Sequence, residues 1–179
     1  MKTLIIAAHP NLEASVINKR WLTELRKQSD LCTIHTLAAC YTDGRIDVER
    51  EHRLIETHGS LVFQFPIYWF SCPPLLKTWF DEVLTHGWAY GKSGGDKLEG
   101  RKVALAVTTG VRTEDYSIDG RYHLRLRSCS PRLRRHCGTI AAPTISRSSP
   151  FTVRSLCRAR TITRRQRRLN AARRTTRVL

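Results

Sequence analysis

Three segments of this chain carry residues suited to holding a flat, phosphorylated ligand. The first runs His9-Pro10-Asn11-Leu12-Glu13-Ala14-Ser15-Val16-Ile17-Asn18. It leads from an apolar run into a helical one, so its last amides open a helix N-terminus, where free N–H groups and the helix dipole favour phosphate. Ser15 adds a hydroxyl donor there, and His9 and Asn18 add side-chain donors; Val16 and Ile17 supply the amides. The plainer use of the same residues is helix capping by Ser15 and a loop histidine at His9. No glycine fingerprint is present, so the segment is not a dinucleotide-binding turn. The second segment, Phe65-Pro66-Ile67-Tyr68-Trp69-Phe70-Ser71, sets three aromatics directly after an apolar run. Exposed aromatics are costly unless they cover something flat and apolar, such as an isoalloxazine ring, or pack on the next helix or a second subunit. Backbone amides of this segment could then meet the polar edge of such a ring. The third segment, Thr108-Thr109-Gly110-Val111, places two hydroxyls and a glycine at a strand end, with Tyr116 close behind to cover a ligand.

The elements that would position these segments are legible from periodicity. Lys2–Ala8, Cys32–Leu37, Ser60–Phe65 and Lys102–Thr108 are short apolar runs, as expected of strands covered on both faces. Ala14–Gln28 repeats Ile17, Trp21, Leu22 and Leu25 at helical spacing, and Asp47–His58 is a shorter charged helix. Between them, Asp43-Gly44 marks a turn. Pro73 and Pro74 open a third helix with a broad apolar face, Leu75, Leu76, Trp79, Phe80, Val83 and Leu84. The order β-α-β-α-β-α-β requires a parallel sheet with helices on both faces, and ligands in such sheets sit at the carboxyl ends of the strands. His9, Pro66 and Thr109 begin the loops at those ends.

Other chemistry is not supported. The six cysteines form no CxxC pair and no zinc spacing, and they read as reduced thiols. Gly91-Lys92-Ser93 resembles the end of a P-loop, but the glycine required five positions earlier is His86, and the segment precedes a strand. His86 and Trp88 read as packing residues or as cleft lining from a second subunit. His35, His52 and His58 have no metal-ligand company, and no metal is expected. The start of the chain is strand-like, without a basic region and long apolar stretch, and no run nears the ~20 residues of a membrane span. A cytoplasmic location follows as the expectation, with peripheral attachment at an inner membrane as its variant.

The strings AHPNLEASVINK, FQFPIYWFSCPPLLKTWFDEVLTHGWAYG and LAVTTG followed by Tyr116 resemble the flavodoxin-like NAD(P)H:quinone oxidoreductases. The resemblance covers residues 1–122. It is strongest to the small bacterial branch that includes general stress NADPH oxidoreductases and the ancillary proteins of glutathione-gated potassium efflux. It implies a flavodoxin-like three-layer fold, non-covalent FMN (FAD as the lesser alternative), NAD(P)H as co-substrate, a quinone acceptor and a homodimer. It also implies hydride transfer through flavin N5 in a ping-pong cycle, and, as an alternative role, regulation of a membrane transporter. His9 and Ser15 through Asn18 match the positions that bind the flavin phosphate end. Pro66, Ile67, Tyr68 and Trp69 match the ring-binding stretch, Thr108 through Val111 match its other wall, and Tyr116 matches a tyrosine beside the hydride-transfer site. The family often has glycine where this chain has Val111. The larger animal enzymes have a histidine six residues after that tyrosine, where this chain has Tyr122 followed by His123.

The charge is divided sharply. Residues 1–120 hold 14 Lys and Arg against all 15 Asp and Glu, a net −1, whereas residues 121–179 hold 17 Arg and no Lys, Asp or Glu. Residues 123–179 therefore read as an irregular Arg-rich tail after a sheet truncated to about four strands, with an exposed apolar edge and poor stability as consequences. One source is a shifted reading frame. Decoding His123–Gly138 from the third base of each codon permits Phe-Thr-Leu-Glu-Glu-Leu-Leu-Ala-Pro-Phe-Glu-Ala-Thr-Leu-Arg, an amphipathic helix. The same shift over Ile145–Arg154 permits Leu-Pro-Phe-Val-Ala-Val-Tyr-Gly-Ala, a strand and turn. The other source is a selected basic tail for nucleic acid, which would bind with steep salt dependence. It lacks aromatic interleaving and any recognisable binding module.

Overall fold

The structure, a computed structural model, describes residues 1–91, 94–129, 139–141 and 144–145. In chain order the elements are β1 (Thr3–Ala7), α1 (Val16–Arg26), β2 (Cys32–Thr36), α2 (Leu37–Cys40), α3 (Val48–Glu56), β3 (Ser60–Pro66), α4 (Pro74–Val83), β4 (Lys102–Thr108), β5 (Thr139–Ala141) and β6 (Thr144–Ile145). Two 3-10 turns, Thr113–Tyr116 and Leu126–Cys129, lie between β4 and β5. The strands pair in parallel in the order β2-β1-β3-β4-β5, with β6 also on β4. This is the flavodoxin-like order, with its switch point between β1 and β3.

Strand alternation divides the core into two layers. On one face Leu4, Ile6, Phe63, Phe65, Leu105 and Val107 meet α3 and α4 through Ile55, Leu76, Trp79, Phe80 and Val83. On the other, Ile5, Val62 and the small Ala7, Ala104 and Ala106 meet Trp21, Leu22 and Leu25 of α1. Each fully buried Leu or Ile stabilises the fold by about 1.5–3 kcal/mol, which is why the strands read as continuous apolar runs. The three alanines let α1 lie close to the sheet and bring its N-terminus over the strand ends.

The four long strands follow the expected pattern. Helix α1 is shorter than the apolar repeat because the Ser15 hydroxyl caps it, accepting from the Asn18 amide. The short α2 is a feature the pattern did not predict: four residues are below the span over which a helical repeat can show. The expected four-strand count is extended by two short segments on the free side of β4. Thr139–Ala141 pairs with Lys102–Ala104, and Thr144–Ile145 pairs with Val107–Thr108. Runs of three and two residues are too brief to register as strands in a sequence pattern. Beyond the boundary expected at Tyr122, Leu126 and Cys129 are buried against the α3–α4 layer. The greater part of the tail, including Cys137 and Cys157, lies outside the described residues, as do Lys92 and Ser93.

Candidate functional site

Sheet register brings the three segments singled out in the sequence to one edge. β1 and β4 flank β3, with Ala7 beside Gln64 and Pro66 beside Thr108, so the loops starting at His9, Ile67 and Thr109 leave neighbouring strands at the same end. Two hydrogen bonds tie them. The Ile67 amide donates to the Thr108 carbonyl at 2.8 Å, and Asn18 Nδ2 donates to Thr108 Oγ1 at 3.0 Å.

The first segment is built around Ser15 and Asn18. Ser15 Oγ accepts from both the amide and the side-chain Nδ2 of Asn18, at 3.3 and 3.2 Å. With its lone pairs so used, the hydroxyl proton is available to an incoming acceptor. The Val16 and Ile17 amides occupy the first two positions of α1, where helix geometry provides no partner. The Val16 side chain is exposed, so nothing of this residue blocks its amide's role. His9 is half-buried, and its Nδ1 accepts from the Asn11 amide at 3.1 Å, which leaves Nε2–H as the outward donor. Burial pushes the His9 imidazole below its ordinary value. Behind this segment Gln64 donates to the Asn18 carbonyl and to Asn18 Oδ1, at 3.1 and 3.3 Å. Gln64 was not singled out in the sequence, although a polar residue inside the apolar run SLVFQF was the signal.

The second segment is a tight turn. Tyr68 and Ser71 exchange both backbone hydrogen bonds, at 3.0 and 2.9 Å, and Trp69 and Phe70 between them have φ of 48° and 63°. Positive φ at both central residues normally selects Asn or Gly and costs a bulky residue about 1–2 kcal/mol. The strain is spent on display: Trp69 is 93% exposed, and Tyr68 and Phe70 are also exposed. The amides expected to meet a ring edge are divided. Those of Ile67 and Tyr68 are consumed within the fold, and Pro66 has none, whereas those of Trp69 and Phe70 have no hydrogen-bond partner among the described residues.

The third segment supplies Thr108, buried, and Thr109, whose hydroxyl donates to the Val111 carbonyl at 2.9 Å. Gly110 has open space where a side chain would stand. Tyr116 reaches back to the aromatic turn: its ring centroid is 6.2 Å from Phe70 and 5.1 Å from Tyr122, and Phe70 and Tyr122 are 5.1 Å apart. Burial pushes the Tyr116 phenol up, with Cys129 and Tyr122 nearby acting in the same direction, so it stays protonated at neutral pH. Phe70 and Tyr122 complete a cluster that sequence reasoning assigned to Tyr116 alone.

A capped helix N-terminus, a displayed aromatic turn and a hydroxyl-lined strand end thus meet at the switch edge of a 2-1-3-4-5 sheet, the order of the flavodoxin-like fold. The model of a family described as having a flavodoxin-like fold matches residues 1–173, and the chain belongs to that family. The uncharacterized NAD(P)H oxidoreductase YrkL of Bacillus subtilis is 50% identical over 126 residues, covering 70% of this chain and 71% of that protein. The potassium-efflux ancillary protein KefG of Cronobacter sakazakii is 44% identical over 119 residues, 66% of this chain and 64% of that protein. Among solved structures, general stress protein 14 of Treponema denticola, in complex with FMN, is 48% identical. It superposes with a TM-score of 0.75 over 82% of this chain and 86% of that one.

Proposed function

We propose that this chain is an FMN-dependent NAD(P)H:quinone oxidoreductase. The observation that carries the reading is the bonded junction of Ser15, Asn18 and Thr108, which fixes a helix N-terminus beside the aromatic turn at the switch edge. The donor set fits FMN. The Val16 and Ile17 amides, the Ser15 hydroxyl and His9 would hold the phosphate, and Pro66 through Trp69 and Thr108 through Val111 would wall the ring. Bound flavin supplies two-electron hydride chemistry, which no side chain of this chain provides.

The residues have separable tasks. Ser15, Val16 and Ile17 bind and orient through a terminus that needs no rearrangement. Tyr68, Trp69 and Tyr116 exclude water from the reacting face, and the protonated Tyr116 phenol can donate a hydrogen bond to a carbonyl oxygen of the acceptor. A single face open between the aromatic turn and Gly110 would serve donor and acceptor in turn, which gives ping-pong order. Trp69, with almost no cover from its own chain, fits a role at the contact with a second copy, and the reading therefore includes a homodimer.

The test is NAD(P)H oxidation by the FMN-loaded chain with menadione as acceptor. Parallel double-reciprocal lines are expected. Flavin binding without turnover would favour the second reading, a regulatory partner of a potassium-efflux transporter, which the 44% identity to KefG supports. Absence of flavin binding would overturn both.

A further inference from the structure

We infer that Cys40 is a nucleophilic thiol, served by His35 as base and Glu51 as orienting carboxylate, that exchanges with small-molecule disulfides. The three groups stand together on the sheet face opposite α1, at the outer strand β2. Cys40, at the end of α2, is exposed, and its Sγ lies 3.6 Å from His35 Nδ1. His35, on β2, is buried, and its Nε2 lies 2.7 Å from Glu51 Oε1. Glu51, on α3, is completely buried, and it also accepts from the Tyr41 hydroxyl at 2.5 Å and from Trp79 Nε1 of α4 at 2.8 Å.

Chemistry fixes the proton positions. Burial raises the Glu51 carboxyl, but the hydrogen bonds from His35, Tyr41 and Trp79 more than offset it and hold it below its ordinary value. An ionised carboxylate only accepts, so His35 must present Nε2–H to it, and Nδ1 then carries the lone pair that faces Sγ. When Nδ1 takes the thiol proton, the Glu51 carboxylate at Nε2 stands as the acceptor of the other ring N–H. This is the order nucleophile, base, orienter that activates cysteines elsewhere.

The exchange balances without a further reactant. Sγ bonds to one sulfur of the disulfide as its proton passes to Nδ1, the disulfide S–S bond breaks, and the departing thiolate takes the proton from His35. The products are a mixed disulfide at Cys40 and one free small thiol, and excess thiol reverses the step.

The test uses dithiobis(nitrobenzoate) on the reduced full chain at neutral pH. A fast phase of one thiol per chain is expected, at least about tenfold faster than the same thiol in the urea-unfolded chain and absent in Cys40→Ser. His35→Gln should remove that advantage while leaving the thiol titratable. Incubation with oxidised glutathione should add one glutathione at Cys40, removed by dithiothreitol. A Cys40 rate equal to that of the unfolded chain would overturn the inference, as would a His35→Gln variant that folds and keeps the fast phase. The first comparison needs only the unaltered chain, so a variant that fails to fold does not rescue the idea. None of these readouts depends on flavin.

Discussion

Two buried polar knots sit on opposite faces of the same sheet, and they are built differently. The knot beneath α1 joins Ser15, Asn18, Gln64 and Thr108 and is neutral. The knot between β2, α3 and α4 joins His35, Tyr41, Glu51 and Trp79 around a carboxylate. In the charged knot every polar side-chain atom of Glu51 is paired, whereas in the neutral one Gln64 Oε1 is buried without a partner. The carboxylate of the charged knot is therefore fully paired and costly to break from its partners. The neutral knot is a positioning device that fixes a helix end where a ligand's charge would fall, and its own stabilisation is modest.

Substitutions should expose that contrast. Glu51→Leu should have the largest effect, about 3–5 kcal/mol of stability by urea unfolding, because His35, Tyr41 and Trp79 lose their common acceptor. Asn18→Leu should cost less, about 2 kcal/mol, but should abolish FMN binding by releasing α1 from β4. The pH dependence should separate the knots further. The Glu51 carboxyl is held below its ordinary 4.5, so its contribution is present above that value and is lost as pH falls through its folded value. Burial and the Glu51 carboxylate push Tyr41 well above its ordinary 10.0, so its contribution is present below pH 10 and is lost as pH rises toward the folded value. Stability measured against pH should show a shallower acid slope in Glu51→Gln, whereas Asn18→Leu should lower the curve without reshaping it. Ser15→Ala should cost about 1 kcal/mol with a matching loss of FMN affinity. Trp69→Ala should change monomer stability by less than about 0.5 kcal/mol, since the side chain is solvated, while weakening self-association and flavin retention in sedimentation and dialysis.

The neutral knot was half legible in the sequence. Ser15 and Asn18 announced a capped helix start, and Thr108 a polar strand end, but a pattern carries no register, so their meeting across 90 residues was not readable. The charged knot was not legible. Glu51 sits among solvated charges in VEREHRLIE, where only Val48, Leu54 and Ile55 marked an apolar side, and its burial follows from α3 facing His35 and Trp79. Cys40 was read as one of six unremarkable thiols because its neighbour at Nδ1 comes from a different element. The four strands were legible because burial on both faces leaves little choice of residue. The tight turn at Trp69 was not, since its aromatics contradict the usual turn chemistry, and that contradiction is the mark of a displayed surface.

The most direct measurement is a titration of the purified full chain with FMN, followed by flavin fluorescence and the visible spectrum. Saturable quenching at one FMN per chain, with bleaching of the flavin band on addition of NADPH or NADH under argon, is the predicted result. Flavin fluorescence that stays at its free value throughout, in a chain shown to be folded, would contradict the account.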